Sequence, residues 1–275
     1  MKTCFNQATT MRSSTLALDL ELCEKTGYDF IEIRLDKLRD YLQDHTVQDL
    51  AGFFAKSKLK PYSFNALEFI NFRDEAGYKE ITDGLKFCCE AGEAIGCKKT
   101  VVVPTFDIGS FSKPEIKAET VRVLHELADI AAPFGMKLAF EFVGYPNCSV
   151  NTLEQAWDIV AATDRENVGV VLDCFHFHAM NSKWEALEAL DPAKLFIFHL
   201  DDSEDLPPGA LRDDKRLWPG EGAVDLARIF GLLKAKGYSE MASIELFRPE
   251  YWELDAAECI QTAYDKTRET IEKHM

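Results

Sequence analysis

The sequence has no Cys-x-x-Cys pair, no long apolar run, no excess of positive charge and no Pro/Gly/Ser-rich linker. Each gap excludes a class of protein. Its eight cysteines are Cys4, Cys23, Cys88, Cys89, Cys97, Cys148, Cys174 and Cys259, and the start, MKTCFNQATT, lacks a signal-peptide apolar core. They therefore read as reduced, buried small side chains, not as a disulfide frame or a zinc ribbon. No run approaches the ~20 apolar residues that cross a bilayer, so no membrane partner is expected and the cytoplasm is the expected location. With 47 acidic against 31 basic residues and a net charge of −16, the chain lacks the basic stripe that nucleic acid requires. An acidic chain instead suits a small, uncharged substrate. Without a linker or a shift in composition, residues 1–275 read as one domain.

Strand-like and helix-like stretches fill the chain in alternation. Short β-branched and aromatic runs lie near residues 2–6, 28–34, 61–66, 99–104, 136–142, 167–173, 194–200 and 241–247. Amphipathic stretches separate them, among them 15–26, 74–96, 112–134, 151–163 and 255–273. Asn151-Thr152 offers a helix cap, and Gly27, Gly135 and Gly237 stand where helices would stop. Eight such repeats predict a parallel sheet closed on itself, an α/β single (β/α)₈ TIM barrel. A doubly wound open sheet is disfavoured, because no Gly-rich dinucleotide loop follows the first run.

Four of the runs end in charged or imidazole side chains: KLAFE at Glu141, VGVVLD at Asp173, LFIFH at His199 and MASIE at Glu245. Packing alone does not explain charged ends on buried strands, because an unpaired buried charge is costly. Side chains alternate along a strand, so Glu141 shares a face with Ala139, Asp173 with Val171 and Gly169, His199 with Ile197, and Glu245 with Ser243. The bulky alternates Phe140, Phe142, Phe196 and Phe198 are expected under the helices. All four polar ends then point into the mouth of the barrel from strands five to eight, the rim where barrel enzymes keep their chemistry. The spacing is about one βα unit until His199; the excess before Glu245 falls in one long loop, Asp201 to Gly222.

Three carboxylates and one imidazole suit one divalent cation of the Mn²⁺, Zn²⁺, Co²⁺ or Mg²⁺ type, and the absence of a thiolate argues against a closed structural zinc site. Glu141 and Glu245 on two sides of one ion suit proton removal and return at carbon, the apparatus of a sugar or polyol isomerase or epimerase. His176 and Arg216 are candidates for binding substrate oxygens, and Trp218 for excluding water above a ring. Asn6 and Asn65 end strands one and three within reach of hydroxyls. Glu32 and Arg34 share a face of strand two and are expected to pair inside the barrel. RPEYW, from Arg248 to Trp252, offers a further wall or a subunit contact; a homo-oligomer stays open.

These segments are similar to a known family. DLELCEKTGYDFIEIR, EFVGYPNCSVNT, VGVVLDCFHFHAM, FHLDDSED, WPGEGAVDL and SIELFRPEYW resemble the xylose-isomerase-like sugar phosphate isomerase/epimerase superfamily, and within it the inosose isomerases. The resemblance runs nearly end to end. It implies metal ligation by Glu141, Asp173, His199 and Glu245, with Glu141 and Glu245 as the acid/base pair. It also implies that His176 and Arg216 contact the substrate. The implied reaction interconverts 2-keto-myo-inositol (scyllo-inosose) and 1-keto-D-chiro-inositol through a cis-enediolate. A ketose 3-epimerase or hydroxypyruvate-type isomerase on the same four ligands is the alternative. An abasic-site endonuclease is disfavoured, since the early strands contain no His and the chain is acidic.

Overall fold

The computed structural model describes residues 1–275. Eight parallel strands close into a barrel: β1 (Lys2–Asn6), β2 (Phe30–Arg34), β3 (Lys60–Leu67), β4 (Lys99–Val102), β5 (Lys137–Glu141), β6 (Val168–Asp173), β7 (Leu195–Leu200) and β8 (Met241–Ile244). Closure is direct, with β1 pairing to β2 on one side and to β8 on the other. The helices between them stop where their sequences say they should. Gly27 ends Leu16–Thr26 and Gly96 ends Glu75–Ile95, both in the left-handed region that glycine enters without strain. Ser112 and Glu115 form a capping box at the start of Lys113–Ala131. The expected cap at Asn151-Thr152 marks the right place, but Thr152 makes no side-chain capping bond and Asn151 turns to the Tyr145 carbonyl.

Two layers of core follow from strand parity. The larger lies between strands and helices and includes Phe140, Phe142 and Phe198; a smaller one fills the lumen with Cys4, Val101, Ala139, Val171, Ile197 and Met241. Phe196 departs from the expected face. The β6–β7 register slips between Val170 and Val171, and this irregularity turns Phe196 into the lumen beside Ile197. There it packs over Gly169, where a Cβ would meet the Phe196 ring at 2.6 Å. All eight cysteines are free and buried.

The long connection after β7 is built, not slack. Residues Asp202–Ser203 pair antiparallel with Arg216–Leu217 in a two-stranded ribbon. Asp202 accepts from the backbone N–H groups of Ser203, Gly220 and Val224 at 2.9, 3.0 and 2.9 Å. Gly222 sits so close to Ser203 and Asp202 that a side chain there would collide with both. This ribbon delivers Arg216 to the mouth of the barrel.

Candidate metal centre and active site

Glu141 and Asp173 are the last residues of β5 and β6, His199 is the next to last of β7, and Glu245 follows β8 directly. Each strand therefore ends its apolar stretch where the barrel opens. Their ligand atoms lie within 4.8 Å of one another and all four residues are buried. His199 Nδ1 is 2.9 Å from Glu141 Oε1, 3.1 Å from Glu245 Oε2 and 3.7 Å from Asp173 Oδ2.

The electrostatics of this cluster fit a cation. Burial, together with the Glu245 and Asp173 charges, pushes Glu141 up to about 8, although His199 pulls the other way. Burial would lower His199, but Glu245, Glu32 and Glu141 outweigh it and hold the imidazole well above its ordinary value. Three acids converging on one point in a low-dielectric interior repel one another unless a positive charge sits between them. The donor set supplies hard oxygens and one nitrogen, with no thiolate, a combination that suits one divalent metal.

Around the four stands a second set of polar groups. Asp173 spends Oδ1 on the His176 backbone N–H, 2.6 Å away, capping the short helix Cys174–Ala179. Its Oδ2 takes Arg216 Nη1 at 2.7 Å. Burial opposes ionisation of Asp173, but the Arg216 guanidinium, with His199, outweighs it and holds the carboxyl well below its ordinary value. Arg216 is fully buried; it also donates to Asp201, to Asp213 Oδ1 at 3.0 Å and to the Glu245 carbonyl at 3.1 Å. Its Nη2 lies 3.1 Å from His176 Nε2. An arginine only donates, so Nε2 accepts and the His176 proton sits on Nδ1, which has no partner. Burial lowers the His176 pKa and keeps the ring neutral at this tautomer.

A cavity of about 200 Å³ opens beside this cluster. Glu141, Glu245, His176, Arg216 and Asn65 line its polar side, and Phe69, Phe106, Tyr145 and Phe247 its apolar wall. That volume suits one small polyol. Asn65 also holds the glutamate beside it, donating to Glu245 Oε1 at 3.0 Å. Asn6 is fully buried and reaches the same oxygen at 2.8 Å, so it serves Glu245 and not the cavity. Trp218 does not line the cavity; it stacks on Tyr251 with ring centroids 4.2 Å apart. The expected Glu32–Arg34 pair is absent: Arg34 turns to Asp36 at 3.0 Å, while Glu32 meets His199. Sequence reading missed Asp201, Asp213, Tyr145 and Phe247. The first two stood in view in the long loop, but nothing local says that both converge on Arg216.

The chain matches the xylose isomerase-like TIM barrel family over residues 20–270. It is 53% identical to an inosose isomerase of Halalkalibacterium halodurans, covering 100% of this chain and 98% of that protein. It is 52% identical to an inosose isomerase of Bacillus subtilis, covering 100% and 99%. The chain belongs to the inosose isomerase family. It is accordingly an isomerase built on the xylose isomerase-like barrel. The crystal structure of IOLI protein with a binding zinc atom superposes with a TM-score of 0.98 at 52% identity, covering 100% of this chain and 99% of that one. As a family member, the chain carries at its barrel mouth the four-residue site for one divalent metal.

Proposed function

We propose that this protein interconverts 2-keto-myo-inositol and 1-keto-D-chiro-inositol by proton transfer between adjacent ring carbons. The observation that carries the reading is that Glu141 and Glu245 line one cavity together with His176 and Arg216, and that both glutamates belong to the four-residue metal cluster. Zinc is the proposed ion, supported by the zinc in the related IOLI structure. When bound, such an ion supplies Lewis acidity to the substrate carbonyl and the neighbouring hydroxyl.

The protein's own groups do the rest. One glutamate takes the proton from the carbon beside the carbonyl, leaving the electron pair in the C=C bond of a cis-enediolate. The other returns a proton to the former carbonyl carbon, on which a hydroxyl is left. Meanwhile the hydroxyl proton passes from the old hydroxyl oxygen to the old carbonyl oxygen, so atoms and charge balance. His176 is supported as a donor to a substrate oxygen by its free Nδ1–H. Arg216 supports the site from behind, neutralising Asp173 and Asp201 and aiming His176. Phe69, Phe106 and Phe247 offer a ring an apolar face and exclude water. We further propose one functional domain over residues 1–275, supported by the closure of β1 on β8. A cytoplasmic location is supported by the eight free cysteines.

The test is NMR of zinc-loaded protein with 2-keto-myo-inositol in D₂O, with Glu245→Gln as control. Formation of 1-keto-D-chiro-inositol with deuterium at the carbon beside the carbonyl, lost in the control, is the expected result. Product without deuterium keeps the substrate and replaces the proton transfer by a hydride shift or a shielded transfer. No turnover by a metal-replete preparation sinks the inosose assignment, and ketohexoses and hydroxypyruvate are then tested on the same site.

A further inference from the structure

His199 uses one ring nitrogen on the ligand cluster and the other on a residue outside it. Its Nε2 lies 3.1 Å from Glu32 Oε1, and both side chains are fully buried. Glu32 stands on β2, and β7 is not its neighbour in the sheet, so the contact crosses the lumen. The carboxylate is held from both adjacent strands before it meets the imidazole. Ser63 on β3 donates to Oε2, and Asn6 on β1 lies 3.4 Å from Oε1. Asn6 also donates to Glu245 Oε1 at 2.8 Å, tying Glu32 to a second ligand.

We propose that Glu32 is a positioning residue for the metal site: it accepts Nε2–H of His199 and so aims Nδ1 at the point where Glu141, Asp173 and Glu245 converge. A neutral imidazole carries one proton. Held on Nε2 by a carboxylate, that proton leaves Nδ1 free to ligate, and the nearby negative charge makes Nδ1 a stronger donor. In the ion-free protein Nδ1 also lies at hydrogen-bond distance from Glu141 and Glu245; an ion bound among these residues takes the place of the Nδ1 proton, and Glu32 keeps the other proton on Nε2. This role of Glu32 concerns the metal site alone and involves no inosose, so it stands or falls separately from the proposed substrate.

The experiment titrates ion-free protein with zinc against a competing chelator, for the natural chain, Glu32→Gln and Glu32→Ala. Gln keeps the shape and an accepting oxygen but loses the charge, whereas Ala removes both. Zinc affinity is expected to fall by about tenfold in Glu32→Gln and by up to about 100-fold in Glu32→Ala. Dissociation constants within about twofold of the natural chain in both variants would overturn the proposal. If a variant does not fold, ¹⁵N-imidazole NMR of the zinc-loaded natural chain decides. The His199 proton on Nε2 supports the assignment, and its presence on Nδ1 overturns it.

Discussion

Glu141 has only His199 to offset the Glu245 and Asp173 charges around it, and without an ion its burial dominates. Its carboxyl rises from an ordinary 4.5 to about 8, so the folded protein holds this proton more tightly than the unfolded chain does. Folded-state proton binding in excess of the unfolded state makes stability fall as pH rises. The contribution from Glu141 is therefore greatest below about 4.5 and is lost progressively up to about 8. His199, held above its ordinary value, contributes fully in acid below about 6.5 and loses that contribution progressively as pH rises toward its raised folded value. The thermal midpoint of ion-free protein is expected to drop from about pH 5 to about pH 8. Glu141→Gln, scanned across the same buffers, is expected to flatten that slope. A slope unchanged by the substitution would show that another group causes it. The identities of the four ligands were legible from single residues, since hydrophobic packing does not account for a charged end on an apolar strand. Glu32 was equally visible in IEIR, but its partner was not. Arg34 is near it in sequence, whereas His199 reaches it only through barrel closure.

At the scale of elements, the loop from Asp201 to Gly222 decides where Arg216 stands. Asp202 ties it down through three backbone N–H groups. Asp202→Ala leaves those donors without their carboxylate at a cost on the order of 1–3 kcal/mol. The same change is expected to lower kcat/KM by about tenfold or more, because the Arg216 and His176 pair loses its fixed position. Urea unfolding and steady-state kinetics check the two effects; full activity in a destabilised variant would separate the loop from the site. Strand positions and facing are legible in the sequence where the ladder is regular. Ala139, Val171 and Ile197 do line the lumen. Phe196 breaks the pattern because the slip beside Val170 adds a residue to β7, and one extra residue reverses a face. Trp218 departs from expectation on different grounds: an aromatic in a loop packs on whatever the loop folds against, here Tyr251.

For the whole molecule, the metal site joins the ends of four strands, so an ion bound there links separate parts of the barrel. A ligand that binds only the folded state stabilises by about 2.7 kcal/mol at a hundredfold excess over its dissociation constant. For a barrel of this size that corresponds to a rise in Tm of roughly 5 °C or more. Scanning with zinc, and again after excess chelator, checks this; a midpoint that does not move with zinc would show that the cluster takes no ion in the folded state. The chain by itself determined the eight strands, the helices between them, and four ligand types placed one to a strand. Those follow from periodicity and from the cost of burying charge, which act over a few residues at a time. Tertiary structure alone decided that Glu32 serves His199, that Arg216 gathers Asp173, Asp201 and Asp213, and that Phe196 faces inward. Such pairings depend on which strand ends meet across a closed lumen and on the register between neighbours, and no local run of residues encodes either one.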